Sequence, residues 1–254
     1  MRKKNLYESG SKTPFALSRS KLEAFVNCPR CFYLDRRLGV APPSGPPFSI
    51  NSAVDHLLKK EFDTYRQNQQ SHPLMTAAGL DAIPFRHEYL NRWRENFKGV
   101  RYFHEATGFE VFGAIDDLWI DLNTNDLLVV DYKATAKDGE VNIDAEWQHG
   151  YKRQMELYQW LLRKNGFSVS DTGYFVYCNG DKTATQFDGT LRFKIKLIPY
   201  QGSDIWVDSS LAAAKQCLDG GLPDFGADCE QCKYAGDLSK VFRFSQLVKE
   251  EKGN

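Results

Sequence analysis

The chain has 254 residues, and its 33 Lys+Arg balance its 33 Asp+Glu, so global charge gives no nucleic-acid signal and any such surface must be a local patch. Hydrophobic residues at 42% and aromatics at 13% suffice for a packed core and argue against disorder. No apolar run approaches the length of a membrane span, and MRKKNLYESGSK lacks the apolar core of a signal peptide, which predicts a cytoplasmic protein with no membrane partner.

Residues 1–16 are polar and read as a flexible arm. A helix is expected next, capped by Ser18, with Leu17 and Leu22 as a hydrophobic staple. Leu22, Phe25 and Val26 supply its buried stripe, and Pro29 stops it just past Cys28. Residues 41–48, APPSGPPF, form a proline-rich turn or crossing segment. A second helix from about Ser49 to Gln70 places Ile50, Val54, Leu57, Leu58, Phe62 and Tyr65 on one side, with His56 roughly opposite.

Residues 73–100 read as an insertion in which FRHEYLNRWRENFKGV forms a helix. Tyr89, Trp93 and Phe97 are spaced as a buried stripe, leaving the arginines as a wet face. The alternative is that the same aromatics and bases serve stacking and phosphate contacts.

Phe109 to Lys133 reads as a β-hairpin, FEVFGAIDDLWID and LLVVDYK around a polar LNTND. Asp116 interrupts the first arm, and Asp131 and Lys133 share one face of the second. With an even loop Asp116 lies opposite Asp131 or Lys133; an odd loop puts Tyr132 there. Carboxylates and a lysine on a largely apolar hairpin need partners. A hard divalent cation such as Mg²⁺ or Mn²⁺ would compensate both aspartates. A surface ion pair on a solvated hairpin is the other reading.

A polar crossing leads to a helix from Trp147 to about Lys164, ended by Asn165-Gly166. Tyr151, Met155, Tyr158, Leu161 and Leu162 form its inward stripe, into which Gln154 falls. Strands follow at 172–178 and 191–198, then a helix from about Ser203 to Leu218, and 241–254 reads as a tail. Cys28-Pro-Arg-Cys31 and Cys229-Glu-Gln-Cys232 can each give two thiolates to one metal centre, clasping the two ends of the chain. Spacing alone suits Zn²⁺.

Gly113-Ala-Ile-Asp116, Val129-Val-Asp131-Tyr-Lys133, Gln154-Met-Glu-Leu-Tyr158 and the SRSKLEAFVNCPRCFYLDRRLGV helix together resemble the PD-(D/E)XK nucleases. The likeness is to their RecB-like and CRISPR-associated adaptation exonuclease branch. It implies an α/β fold with a mixed central sheet flanked by helices. Residues 17–240 would form a single domain whose ends meet at the four-cysteine centre, 28–31 with 229–232. It also implies a Mg²⁺-dependent deoxyribonuclease, an exonuclease acting in repair, recombination or CRISPR adaptation. The alternative is an inactive nuclease-fold subunit of a helicase or adaptation complex. Asp116, Asp131 and Lys133 would be catalytic, and His56 and the Tyr132 carbonyl would join the two aspartates around Mg²⁺ or Mn²⁺. Gln154 and Tyr158 would orient the DNA strand. For the cysteines the resemblance implies a [4Fe–4S] cluster, with structural Zn²⁺ as the alternative.

Overall fold

A computed structural model describes residues 5–43, 45 and 49–252. Ser44 and 46–48 of the proline-rich segment therefore lie outside the described residues. In chain order the elements are β1 (Phe15–Ser18), α1 (Arg19–Asn27), α2 (Pro29–Arg36), α3 (Ser49–Asn68), α4 (Pro73–Ala77) and β2 (Ala82–Pro84). Then come α5 (Leu90–Trp93), β3 (Val100–His104), β4 (Phe109–Gly113), β5 (Asp117–Asp121) and β6 (Leu127–Thr135). A 3-10 turn (Glu146–Gln148) precedes α6 (His149–Lys164), β7 (Thr172–Gly180), β8 (Phe193–Gln201), α7 (Trp206–Asp219) and α8 (Glu230–Lys252). They belong to two compact units, one of Met1–Gly45, Glu105–Phe109 and Asp208–Asn254, the other of Pro46–His104 and Glu110–Val207.

The second unit holds a mixed five-stranded sheet in the order β2-β5-β6-β7-β8, in which β6 and β7 run parallel and the other pairs antiparallel. Parallel neighbours need a crossover, and α6 supplies it. Alternation along β6 then sorts its side chains. Leu128, Val130 and Tyr132 pack with Leu58 and Phe62 of α3, while Asp131 reaches Gln154 of α6. α6 lies close because β7 has glycine beneath it: a Cβ on Gly173 would meet Met155 Sδ at 2.4 Å.

The hairpin differs from the sequence expectation in its first arm, which is not one strand. β4 and β5 belong to different sheets and break at 114–116. In the break the ladder is replaced by other partners, the Ile115 N–H donating to Trp93 O at 3.1 Å. The helix expected from Phe85 to Val100 is also corrected. It survives only as α5, because the chain turns to a positive φ at Phe97 (72°) and Gly99 (61°). Gly99 admits no side chain, since a Cβ would lie 2.3 Å from Gly113 O. On α3, Ile50 and Leu57 are exposed, and Arg66 takes the buried position after Leu58 and Phe62.

In the first unit Pro29 ends α1 and also opens α2, where its missing N–H costs nothing. Ser18 occupies the cap position without a side-chain cap bond. Within the stretch expected as a flexible arm, Tyr7 is buried and its phenol donates to Asp219 Oδ1 at 2.6 Å. At the other end, α8 carries the backbone through Lys252.

Candidate active site and cysteine centre

The β5–β6 register pairs Asp117 with Val130. One step further outward it sets Asp116, in the break before β5, against Asp131. Asp131 is fully buried. Its Oδ1 accepts from Gln154 Nε2 at 2.8 Å. Its Oδ2 has the Lys133 ammonium in close ion pairing but no well-formed hydrogen bond. Burial pushes the Asp131 carboxyl up to about 7; Lys133 opposes the rise, and the adjacent Asp116 carboxyl adds to it.

Asp116 is held differently. Its Oδ2 accepts the Tyr132 backbone N–H at 3.0 Å, and its Oδ1 faces Lys59 Nζ at 3.4 Å. Lys59 in turn bonds Asp55 one helical turn earlier, at 2.9 Å. Burial, then the Asp116 charge, raises the Asp55 carboxyl. For Lys59 burial works to lower the pKa, yet Asp116 and Asp55 carry it above the ordinary value. Lys133 lies over the Tyr151 ring, 4.4 Å from its centroid.

Among the residues singled out by sequence, Asp116, Asp131, Lys133 and Gln154 are brought into one patch. Tyr158 joins it by accepting from the same Gln154 amide at 3.2 Å. Tyr132 touches Asp116 through its N–H. His56 is exposed on α3, and among the described residues neither it nor Asp55 joins the two aspartates in a group of three ligating atoms within 4.8 Å of one another, although Asp55 is linked to Asp116 through Lys59. Asp55 and Lys59 escaped the sequence reading, although their spacing puts both on one helix face.

A second charged group was also missed. Asp117 is completely buried and Arg94 Nη2 reaches its Oδ1 at 2.7 Å. Arg94 also bonds both Asp63 oxygens, at 2.9 and 3.1 Å, and its Nε donates to the Asp116 carbonyl at 3.0 Å. Arg66 pairs closely with Asp63 and Asp117. The Tyr132 phenol donates to Asp117 Oδ2 at 2.7 Å, and its pKa lies well above the ordinary tyrosine range because it is buried beside that charge. Two arginines thus balance two aspartates, Asp117 buried and Asp63 partly exposed. The visible signal was the Asp116-Asp117 doublet among apolar residues, which calls for buried cations somewhere in the chain.

The donor chemistry, carboxylate oxygens, suits a hard divalent cation. Three carboxylates, of Asp55, Asp116 and Asp131, face two ammonium groups, so one negative charge remains. The Asp131 oxygen without a well-formed hydrogen bond offers a ligand atom.

In the first unit, Cys28, Cys31, Cys229 and Cys232 bring their Sγ atoms within 4.8 Å of one another. Cys28 and Cys232 are 3.6 Å apart, Cys31 and Cys229 3.6 Å, and Cys31 and Cys232 3.8 Å. A tetrahedron of Zn–S bonds of about 2.3 Å has edges of about 3.8 Å. Burial works to raise the Cys28 thiol, but the Cys31 N–H and the neighbouring thiols hold it below its ordinary value. Gly226 leaves room for the quartet: a Cβ there would lie 3.0 Å from Cys229 Cβ and 3.1 Å from Cys28 Sγ. Arg30, between the first two cysteines, donates to Pro223 O at 2.6 Å and stacks over Phe225, 4.0 Å from the ring centroid. Cys217 is not one of the four, though its thiol reaches Pro29 O at 3.7 Å, and burial and then the Cys28 charge raise its pKa.

A family model described as PD-(D/E)XK nuclease superfamily matches residues 16–236. No curated protein gives a significant match. Among solved structures, one described as the crystal structure of SSO0001 is similar at a TM-score of 0.42 and 14% identity, over 89% of this chain and 87% of that one.

Proposed function

Because the chain belongs to the PD-(D/E)XK nuclease superfamily, we propose that it hydrolyses DNA phosphodiester bonds at the patch of Asp116, Asp131 and Lys133. The observation that carries this reading is the meeting of the Asp116 and Asp131 carboxyls beside Lys133, with Asp131 fully buried and its carboxyl raised by that burial and by the Asp116 charge. Asp116 and Asp131 would hold Mg²⁺ or Mn²⁺, which supplies charge stabilisation at the scissile phosphate. His56, Asp55 and the Tyr132 carbonyl are candidates to complete the shell. Lys133 orients the attacking water and neutralises charge that grows on the phosphate oxygens. Gln154 fixes the Asp131 carboxylate and, with Tyr158, faces the strand.

The Gln-x-x-x-Tyr pair favours the RecB-like, CRISPR-adaptation branch, hence an exonuclease of repair, recombination or adaptation in the cytoplasm, working beside a helicase or adaptation complex. Residues 17–240 act as one nuclease domain in this reading. At the cysteines, the sulfur spacing supports one tetrahedral Zn²⁺ over a [4Fe–4S] cluster, whose four thiolates bind separate corners and stand further apart. A colourless protein with stoichiometric zinc supports this; a brown protein with iron and sulfide reverses it.

The deciding experiment is cleavage of end-labelled single- and double-stranded DNA with Mg²⁺, Mn²⁺ or EDTA. The parent should cut only with metal, and Asp131→Ala and Lys133→Ala should not cut. DNA binding without any cleavage would instead mark an inactive assembly subunit.

A further inference from the structure

Of the five tryptophans, Trp147 is the one whose ring is given to solvent, at 65% exposure, while Trp119 and Trp160 are buried. Its mount is firm. Gln148, beside it on the 3-10 turn, is buried and donates from Nε2 to Asn142 O at 2.9 Å and to Tyr177 Oη at 3.4 Å. The Gln148 side-chain oxygen accepts the Ala145 N–H at 3.0 Å, and Val141 and Ile143 on the approach are buried. The turn is therefore anchored by its neighbours, and the indole is held out from an ordered backbone.

The ring also points back to the chemistry. Trp147 meets Tyr151 edge to face, with centroids 5.5 Å apart at 81°. Tyr151 carries the Lys133 ammonium on its own face at 4.4 Å. A row of Lys133, Tyr151 and Trp147 thus leads from the proposed catalytic amine outward to solvent. Asp144, Glu146 and His149, its neighbours in sequence, are exposed polar residues, so the indole stands in a polar stretch and not in an apolar run of the kind that docks proteins.

We propose that Trp147 is a base-stacking residue that selects unpaired DNA. A strand whose phosphate lies at Lys133 would lay a nearby base on the indole face. Stacking of this kind is indifferent to sequence, because every base has a π-face. It does require a base free of its neighbours, which a single strand or frayed end offers and a blunt duplex interior does not. The inference rests on the nuclease reading above and adds the substrate class.

The test uses the whole chain in EDTA, with cleavage off, titrated with a fluorescein-labelled 20-nucleotide oligothymidine and with a blunt hairpin duplex. Trp147→Ala should weaken single-strand binding by about 5- to 100-fold and duplex binding much less, and Trp147→Phe should recover most of the loss. Unlabelled oligothymidine should quench the parent's tryptophan emission by an amount that Trp147→Phe lacks. With Mg²⁺, KM for single strands should rise in Trp147→Ala more than kcat falls. If the parent binds or cuts DNA but Trp147→Ala binds oligothymidine within twofold of it, or the quench is the same in Trp147→Phe, this inference alone is overturned. If the parent neither binds nor cuts DNA, the nuclease reading falls with it.

Discussion

Gln154 Nε2 donates to Asp131 Oδ1 at 2.8 Å and to the Tyr158 hydroxyl at 3.2 Å, so one buried amide holds a β6 carboxylate and an α6 phenol in a single arrangement. A hydrogen bond to a charged acceptor is worth about 1.5–3 kcal/mol. Gln154→Ala should therefore lower single-turnover cleavage by about ten- to a hundredfold with an unchanged circular dichroism spectrum. Undiminished cleavage would remove Gln154 from the site.

Asp131 carries charge where the fold does not favour it, beside Asp116 and away from water. Added Mg²⁺ should raise the melting temperature of the parent by mass action and leave Asp131→Asn flat. In EDTA at pH 8 the neutral variant should melt higher than the parent, by about 2–4 °C for each kcal/mol relieved, while being inactive. A magnesium-dependent shift that survives in Asp131→Asn would place the ion elsewhere.

Arg94 spans Asp63, Asp117 and the Asp116 carbonyl. Replacing it by Met leaves a buried carboxylate short of a cation, and removing one partner of a buried pair costs about 3–5 kcal/mol. Urea unfolding should show that loss. Arg94→Lys should recover little of it, because an ammonium cannot reproduce the planar fork.

Asp219 has a pKa held down to about 2, chiefly by its bond from Lys215 and then by Tyr7. The unfolded value is about 3.9, so its contribution is complete above pH 4 and fades as pH falls through the folded value. Asp219→Asn should melt below the parent at pH 5, and the gap should close by pH 2. A constant gap would show that packing, not charge, is what the variant disturbs.

Gly226→Ala forces a methyl into the space beside Cys28 and Cys229. Elemental analysis should find one zinc per parent chain and a substoichiometric amount in this variant and in Cys229→Ser. Full zinc in Gly226→Ala would mean that the loop yields.

The strands and crossover were legible because their patterns have local causes. Continuous apolar runs mark β6 and β7, Asn165-Gly166 ends α6, and Gln154 betrays itself as polar within an inward stripe. The first hairpin arm misled because FEVFGAIDDLWID is apolar throughout, so nothing local announces that its two halves join different sheets. The 85–100 segment misled for the opposite reason. Its aromatics at 89, 93 and 97 mimic a helical stripe, yet Tyr89 and Phe97 are exposed and Arg94 carries buried charge.

By itself the sequence determined the longer helices and the apolar strands, the thiolate pairs and the chemical kind of side chain at each motif, since these follow from residue identity and short-range spacing. Only the tertiary structure decided which charges share space: Asp116 with Asp131 through the register, Lys59 with Asp116 from another element, and Arg94 and Arg66 around Asp117. Charge compensation in a buried site depends on distance through space, and chain spacing encodes that distance only within a single helix or strand.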